Sequence, residues 1–221
     1  MELLTPLQRR LLHEIGQSPL RDAFVLTGGT ALAAFYLHHR YSVDLDLFTD
    51  SPMAVAQVPP AMQEIAGRLD LEITFTRTLG TFLECFLTSA DGERVELDFA
   101  QDSPYRLEPT RFDADLGLSI DNPTDIACNK LSALFDRAEP KDFVDVYFVV
   151  HELMPFDRLL ELARQKHVGL DDYWLAVALA QVEQVQVLPR MVKAVSVEEL
   201  KSFFLARAKE LMDRASFPPG E

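Results

Sequence analysis

Asp44 and Asp46 are the residues best suited to do chemistry in this chain. They lie in the alternating run Val43–Phe48, VDLDLF. The two-residue period of a strand sends both carboxylates to one side and Leu45 and Leu47 to the other. The leucines supply a core face, so the acids emerge together on an accessible one. Two like charges this close repel unless a cation neutralises them. Just upstream, the apolar run Ala23–Thr27 ends in Gly28-Gly29-Thr30. Glycine lets the backbone turn there without a Cβ penalty. The first N–H groups of a following helix, with the threonine hydroxyl, can then meet an anion. A cation site and a phosphate site within one short stretch point to metal–nucleotide chemistry.

A third carboxylate comes from the run Arg94–Ala100, RVELDFA. Val95, Leu97 and Phe99 take one face; Glu96 and Asp98 take the other. If this strand lies beside VDLDLF, then Asp44, Asp46 and Asp98 converge. An all-oxygen ligand set suits Mg²⁺ or Mn²⁺. Such ions on a nucleoside triphosphate activate an attacking hydroxyl and steady the departing pyrophosphate.

Further along, Lys130 follows apolar Ile126 and Ala127 on a helix, with no carboxylate four residues away. A lysine so placed suits the neutralisation of β- or γ-phosphate charge. In Lys141-Asp142-Phe143-Val144-Asp145, the two aspartates share one helical face. Lys141 and Asp145, at i and i+4, are spaced for a simple surface pair. His38 and His39 lack zinc-ligand spacing and read as surface or capping residues. Tyr173 and Trp174, on an apolar helix, read as core. No Ser–His–Asp ordering or reactive-cysteine setting stands out.

The elements that position these residues follow from punctuation and period. Thr5-Pro6 starts a helix that Gly16 closes. A strand over 23–27 leads to the glycine turn, a helix over 30–39 and the strand over 43–48. A helix over 59–69 precedes a hairpin with its turn near Gly80, and then the strand over 94–100. Residues 101–121 read as irregular. Asn122-Pro123 opens a region of helical period: 123–137, 141–153, 156–167, 171–187 and 196–214. Ser196 and Glu199 form a capping box, and the tail SFPPGE is expected to fray. The fold class is α+β, with an α/β domain over residues 1–121 and a helical domain over 122–221.

Composition is that of a globular chain: of 221 residues, 48% are hydrophobic and 25% charged, enough for a real core. With 21 basic and 35 acidic residues, the net charge of −14 argues against broad nonspecific binding to nucleic acid. It leaves room for a small basic groove that grips one RNA end, or for a basic protein partner. Cys85 and Cys128 form no metal or disulfide framework and read as buried small hydrophobes. The N-terminus carries charge too early for a signal peptide, and no run reaches membrane-spanning length, so a cytoplasmic protein without a membrane partner is expected.

The stretch GGTALAAFYLHHRYSVDLDLF resembles the signature of the AbiEii/AbiGii-type nucleotidyltransferases, toxins of abortive-infection and related toxin–antitoxin systems. That signature has a Gly-Gly-Thr/Ser turn, a helix ending in His-Arg, then Ser-x-Asp-Leu-Asp-Leu-Phe. Here Gly28, Gly29, Thr30, His39, Arg40, Ser42, Asp44, Asp46 and Phe48 occupy those places. The family's later lysine resembles Lys130, and its KDxxD helix resembles Lys141, Asp142 and Asp145. Asp98 stands as the third carboxylate. The similarity runs from about Phe24 to Phe148.

The resemblance implies a DNA polymerase β-like nucleotidyltransferase core with a mixed sheet and flanking helices, followed by a helical bundle. It further implies an NTP substrate, a divalent metal on Asp44, Asp46 and Asp98, and a cognate antitoxin. Gly28, Gly29, Thr30, Lys130, Lys141 and Asp142 would handle the nucleotide, and Asp145 or Asp142 would orient Lys130 or the acceptor. The tRNA 3′ end is the acceptor in characterised relatives. A protein or small-molecule acceptor, or a non-catalytic nucleotide-binding partner protein, remain open alternatives.

Overall fold

A computed structural model describes residues 3–216. The expected fraying of SFPPGE falls outside the described residues, except for the helical Ser216. The described chain forms two compact units. The first comprises the residues up to Tyr36 together with Tyr41–Asn122; the second comprises Leu37–Arg40 together with the residues from Pro123 onward.

The first unit is built on a seven-stranded mixed sheet in the order β3-β4-β5-β2-β1-β7-β6. Its strands are β1 (Val25–Thr27), β2 (Asp44–Thr49), β3 (Glu72–Leu79), β4 (Phe82–Thr88), β5 (Arg94–Gln101), β6 (Arg111–Asp113) and β7 (Leu118–Ile120). β2 pairs in parallel with β5, and β1 in parallel with β7; the other neighbours are antiparallel. One face carries Leu26, Leu45, Leu47, Leu83, Leu97, Phe99, Leu118 and Ile120, all fully buried. Each such apolar side chain contributes roughly 1.5–3 kcal/mol by leaving water.

Three helices belong to this unit: α1 (Pro6–Gly16), α2 (Gly28–Leu32) and α3 (Val58–Leu69). α1 opens with a capping box in which Gln8 N–H donates to Thr5 Oγ1 (3.1 Å) and Thr5 N–H to Gln8 Oε1 (2.9 Å). The Gln8 amide then donates to the carbonyls of Ser42 (3.0 Å) and Val43 (3.1 Å), which fixes the entry into β2.

The helix expected over 30–39 begins at Gly28 and runs as α-helix to Leu32, then continues with π geometry over Ala33–Leu37. It stops where His38 adopts φ 51°. The segment 101–121, read as irregular, contributes β6 and β7. Each is three residues long, too short for a visible alternation, and β7 is recruited by pairing with β1 some ninety residues upstream.

The second unit holds α4 (Pro123–Arg137), α5 (Pro140–Glu152), α6 (Phe156–Lys166), α7 (Asp172–Ala180) and α8 (Val197–Ser216). α4 packs on α5, α6 and α7, and α8 packs on α7 and α5. Helix α7 is shorter than its pattern suggested and passes into a 3₁₀ turn over Gln181–Gln184. The capping box at α8 is present: Ser196 Oγ accepts from Glu199 N–H (3.1 Å), and Ser196 N–H donates to Glu199 Oε2 (2.7 Å).

Candidate functional site

Asp44 and Asp46 project from the half-open face of β2, whose burial alternates residue by residue. The parallel pairing sets Asp46 directly opposite Asp98 and Asp44 opposite Glu96. On the far side of β5, β4 sets Glu84 opposite Asp98. Five carboxylates therefore share one face across three adjacent strands. Among the described residues, the group whose oxygens all lie within 4.8 Å of one another is Glu84, Glu96 and Asp98. The expected trio of Asp44, Asp46 and Asp98 thus shares a face, but the tightest gathering is centred on β5. Glu84 was not foreseen. Its signal was present in FLECFLT, an acid alternating with buried Leu83 and Cys85.

Asp98 is the focus of this field. Burial, then the charges of Asp46, Glu96, Glu84 and Asp44, push its carboxyl up to about 7. Its Oδ1 is buried and has no hydrogen-bond partner among the described residues. An orphaned carboxylate oxygen facing other carboxylates is the setting a cation resolves. Donors that are all oxygen fit a hard divalent ion such as Mg²⁺ or Mn²⁺.

Gly28 belongs to this arrangement for a steric reason. Its φ is +70°, and a Cβ there would stand 1.9 Å from Asp46 Oδ2. The Asp46 carboxylate lies over the space that any side chain at position 28 would fill. Gly29 and Thr30 are buried beside it. The hydroxyl of Thr30 donates to the backbone carbonyl of Asp44 and so ties the turn to β2.

The second unit carries the other sequence-derived candidates, and their environment differs from expectation. Lys130 is buried and not without carboxylates: its Nζ lies 2.8 Å from Asp145 Oδ2 and 3.9 Å from Asp142 Oδ1. Those partners sit on α5, so spacing along α4 could not reveal them. Asp145 also accepts from Arg40 Nε (2.6 Å) and Nη2 (2.8 Å), a two-pronged pair. His39 Nε2 lies 2.7 Å from the same carboxylate.

Burial alone would raise the Asp145 carboxyl; Lys130, Arg40 and His39 together hold it well below the usual range. Burial lowers His39, partly offset by Asp145, so the ring is neutral and Nε2–H donates. His39 is therefore a buried hub residue, not a surface or capping one, and its carbonyl accepts from Val192 (2.8 Å) and Lys193 (3.0 Å). Asp142, also fully buried, takes Arg137 Nε (2.8 Å) and Nη2 (3.0 Å). Lys141 pairs with Glu139 (3.4 Å) rather than with Asp145. Tyr173 and Trp174 are 47% and 60% exposed, so they are not core.

Residues 10–215 match the family described as nucleotidyl transferase AbiEii toxin, type IV toxin–antitoxin system. The chain belongs to the AbiEii family. The AbiEii match covers both units and makes the protein a nucleotidyltransferase. An uncharacterized Aquifex aeolicus (strain VF5) protein is 27% identical over 214 residues, spanning 96% of this chain and 100% of its own.

Two solved structures share the AbiEii fold seen here. JHP933 from Helicobacter pylori has a TM-score of 0.57 and 20% identity, with 95% of this chain and 90% of that one covered. MenT4, a nucleotidyltransferase toxin from Mycobacterium tuberculosis H37Rv, has a TM-score of 0.57 and 17% identity, with 94% and 82% covered. Among the described residues, no helix is long and apolar enough to cross a membrane.

Proposed function

We propose that the protein transfers a nucleotidyl group from an NTP to the terminal hydroxyl of an RNA, with a divalent ion held by Asp44, Asp46 and Asp98. The observation that carries this reading is the cross-strand pair Asp46–Asp98, with Asp46 over Gly28 and Asp98 Oδ1 unpartnered. A bound Mg²⁺ or Mn²⁺ would supply charge neutralisation at the triphosphate. The Gly28-Gly29 turn leaves backbone room for the phosphates beside Asp46. Asp98 accepts the proton of the acceptor hydroxyl as its oxygen bonds to the α-phosphorus, and the bond from that phosphorus to the bridging oxygen breaks to release pyrophosphate. Glu84 and Glu96 hold Asp98 in a strongly negative field that favours proton or cation capture. In the second unit, Asp145 orients Lys130, our candidate for the cation that offsets phosphate charge. An antitoxin is the partner class that goes with the family.

The test is transfer of α-³²P label from each NTP, with Mg²⁺, to cellular RNA, protein and small-molecule fractions. Asp46→Ala is expected to abolish transfer while leaving the melting temperature near that of the parent. Normal transfer by this variant would overturn the assignment, and label in protein alone would move the acceptor away from RNA.

A further inference from the structure

We propose that the first unit carries a separate acceptor subsite, a polar cavity of about 230 Å³ that binds the last phosphodiester of a single-stranded RNA 3′ end through Arg21 and Arg106. The proposal rests on the transfer reaction above and adds a place and a chemistry for its acceptor.

The cavity is lined by Val25, Phe48 and Ser119 and by Arg21, Arg106 and Thr110; the exposed acids Asp22 and Asp50 also line it. Those first three residues form one cross-strand row: Phe48 is opposite Val25, and Val25 is opposite Ser119. Phe48 follows Asp46 by two residues on β2, so the row lies on the same face as the carboxylates, about 6.6 Å along the strand. Gly28 leaves β1 in the other direction, on the Asp44 side of the Asp46–Thr27 pair.

Phosphoryl transfer places the attacking and leaving oxygens roughly in line across the phosphorus. With the pyrophosphate end toward Gly28 and the α-phosphorus at Asp46–Asp98, the attacking hydroxyl enters from the Phe48 side. An acceptor whose terminal hydroxyl reaches Asp98 from there lays its next phosphodiester in the cavity.

The lining fits that group. Two guanidiniums and the hydroxyls of Thr110 and Ser119 are donors to phosphate oxygens. Arg106 is held by Asp121 (Nε to Oδ1, 3.4 Å), and Arg21 lies 3.4 Å from exposed Asp22. Each guanidinium keeps further N–H groups for a ligand. At the margin, Arg21 stands over the ring of Phe112 (5.8 Å), which is 55% exposed on edge strand β6. An exposed ring backed by a guanidinium is a stacking surface for an unpaired base. In a chain of net charge −14, two arginines in a small cavity that also holds Asp22 and Asp50 give local RNA contact without general affinity.

The experiment compares Arg21→Glu, Arg106→Gln and the conservative Arg21→Lys with the parent, using Mg²⁺, each labelled NTP, a tRNA pool and single-stranded oligoribonucleotides. Losing one charge-assisted phosphate contact is expected to raise the acceptor KM about tenfold. The NTP KM should stay within about twofold, and Arg21→Lys should recover most of the loss. The salt dependence of RNA binding should flatten by about 0.7 in log–log slope per contact removed. Arg21 lies on an exposed 3₁₀ turn, so Arg21→Glu keeps the test open if Arg106→Gln unsettles the fold. An unchanged acceptor KM in natively melting variants, or an equal rise in both KM values, refutes the subsite while parental labelling of RNA upholds the reaction. Parental labelling of protein or small molecules alone overturns the RNA acceptor, and no labelling at all overturns the transfer reading.

Discussion

Gly28 shows how much of the site rests on one residue without a side chain. From the sequence it is a turn glycine beside a possible phosphate. In the structure it is also the ground on which Asp46 lies, because a Cβ would meet Asp46 Oδ2 at 1.9 Å. Gly28→Ala therefore has two costs. A left-handed φ of +70° disfavours alanine by about 1–2 kcal/mol, and the methyl must displace the carboxylate that faces Asp98. We expect at least a hundredfold loss of kcat with a fall of only a few degrees in melting temperature. Calorimetry and single-turnover transfer measured together check this. A variant that melts early yet transfers normally would show that Asp46 has room to spare.

At the scale of elements, the Asp142–Asp145 face of α5 was legible in the sequence, but its partners were not. The i,i+3 spacing of α5 shows that the two acids share a side. It says nothing of Lys130 on α4, or of His39 and Arg40 from a four-residue segment that belongs to the second unit. Removing one member of a buried ion cluster leaves charge unpaired and costs about 3–5 kcal/mol.

Asp145→Ala strands both Arg40 and Lys130. It should lower stability by that order in urea unfolding, whereas Lys141→Ala, on a surface pair, should change it by about 0.5 kcal/mol or less. The pH sign follows from the depressed Asp145 carboxyl. Its contribution is present above the ordinary carboxylate value of 3.8 and is lost as pH falls below that toward the folded value. Parent and Asp145→Ala should therefore converge in stability in acid. A difference that persists undiminished at low pH counts against the ion cluster as its source.

For the molecule as a whole, the crowding of carboxylates on the sheet links stability to protons. The Asp98 carboxyl is raised to about 7, so between 3.8 and 7 the folded chain keeps a proton that the unfolded chain releases. Asp98's contribution to stability is complete below 3.8 and lost as pH rises through 7. A divalent ion held there as proposed would compete with that proton, so it should stabilise more at pH 8 than at pH 5.5. Mg²⁺ at a hundred times its Kd adds about 2.7 kcal/mol. Melting curves at both pH values, with Mg²⁺ and with EDTA, read this directly. Asp98→Asn should flatten the metal-free profile between pH 4 and 7 and remove most of the Mg²⁺ gain. Equal Mg²⁺ shifts at both pH values would place the ion elsewhere.

The sequence by itself determined the α/β-then-helical order, the core face of β2 and β5, the shared strand face of Asp44 and Asp46, and the buried state of both cysteines. These depend on a period of two or of 3.6 residues and on local turn chemistry, which neighbours along the chain specify. Only the tertiary structure decided what depends on residues far apart. β7 beside β1, Glu84 opposite Asp98 and Lys130 against Asp145 all come from pairing and packing. So does the Thr30 hydroxyl on the Asp44 carbonyl. Local spacing carries no information about which strand lies next to which, or about which buried charge will find which partner. Asp44 and Asp46 could be read from VDLDLF alone, but the field that makes Asp98 their partner required three strands side by side.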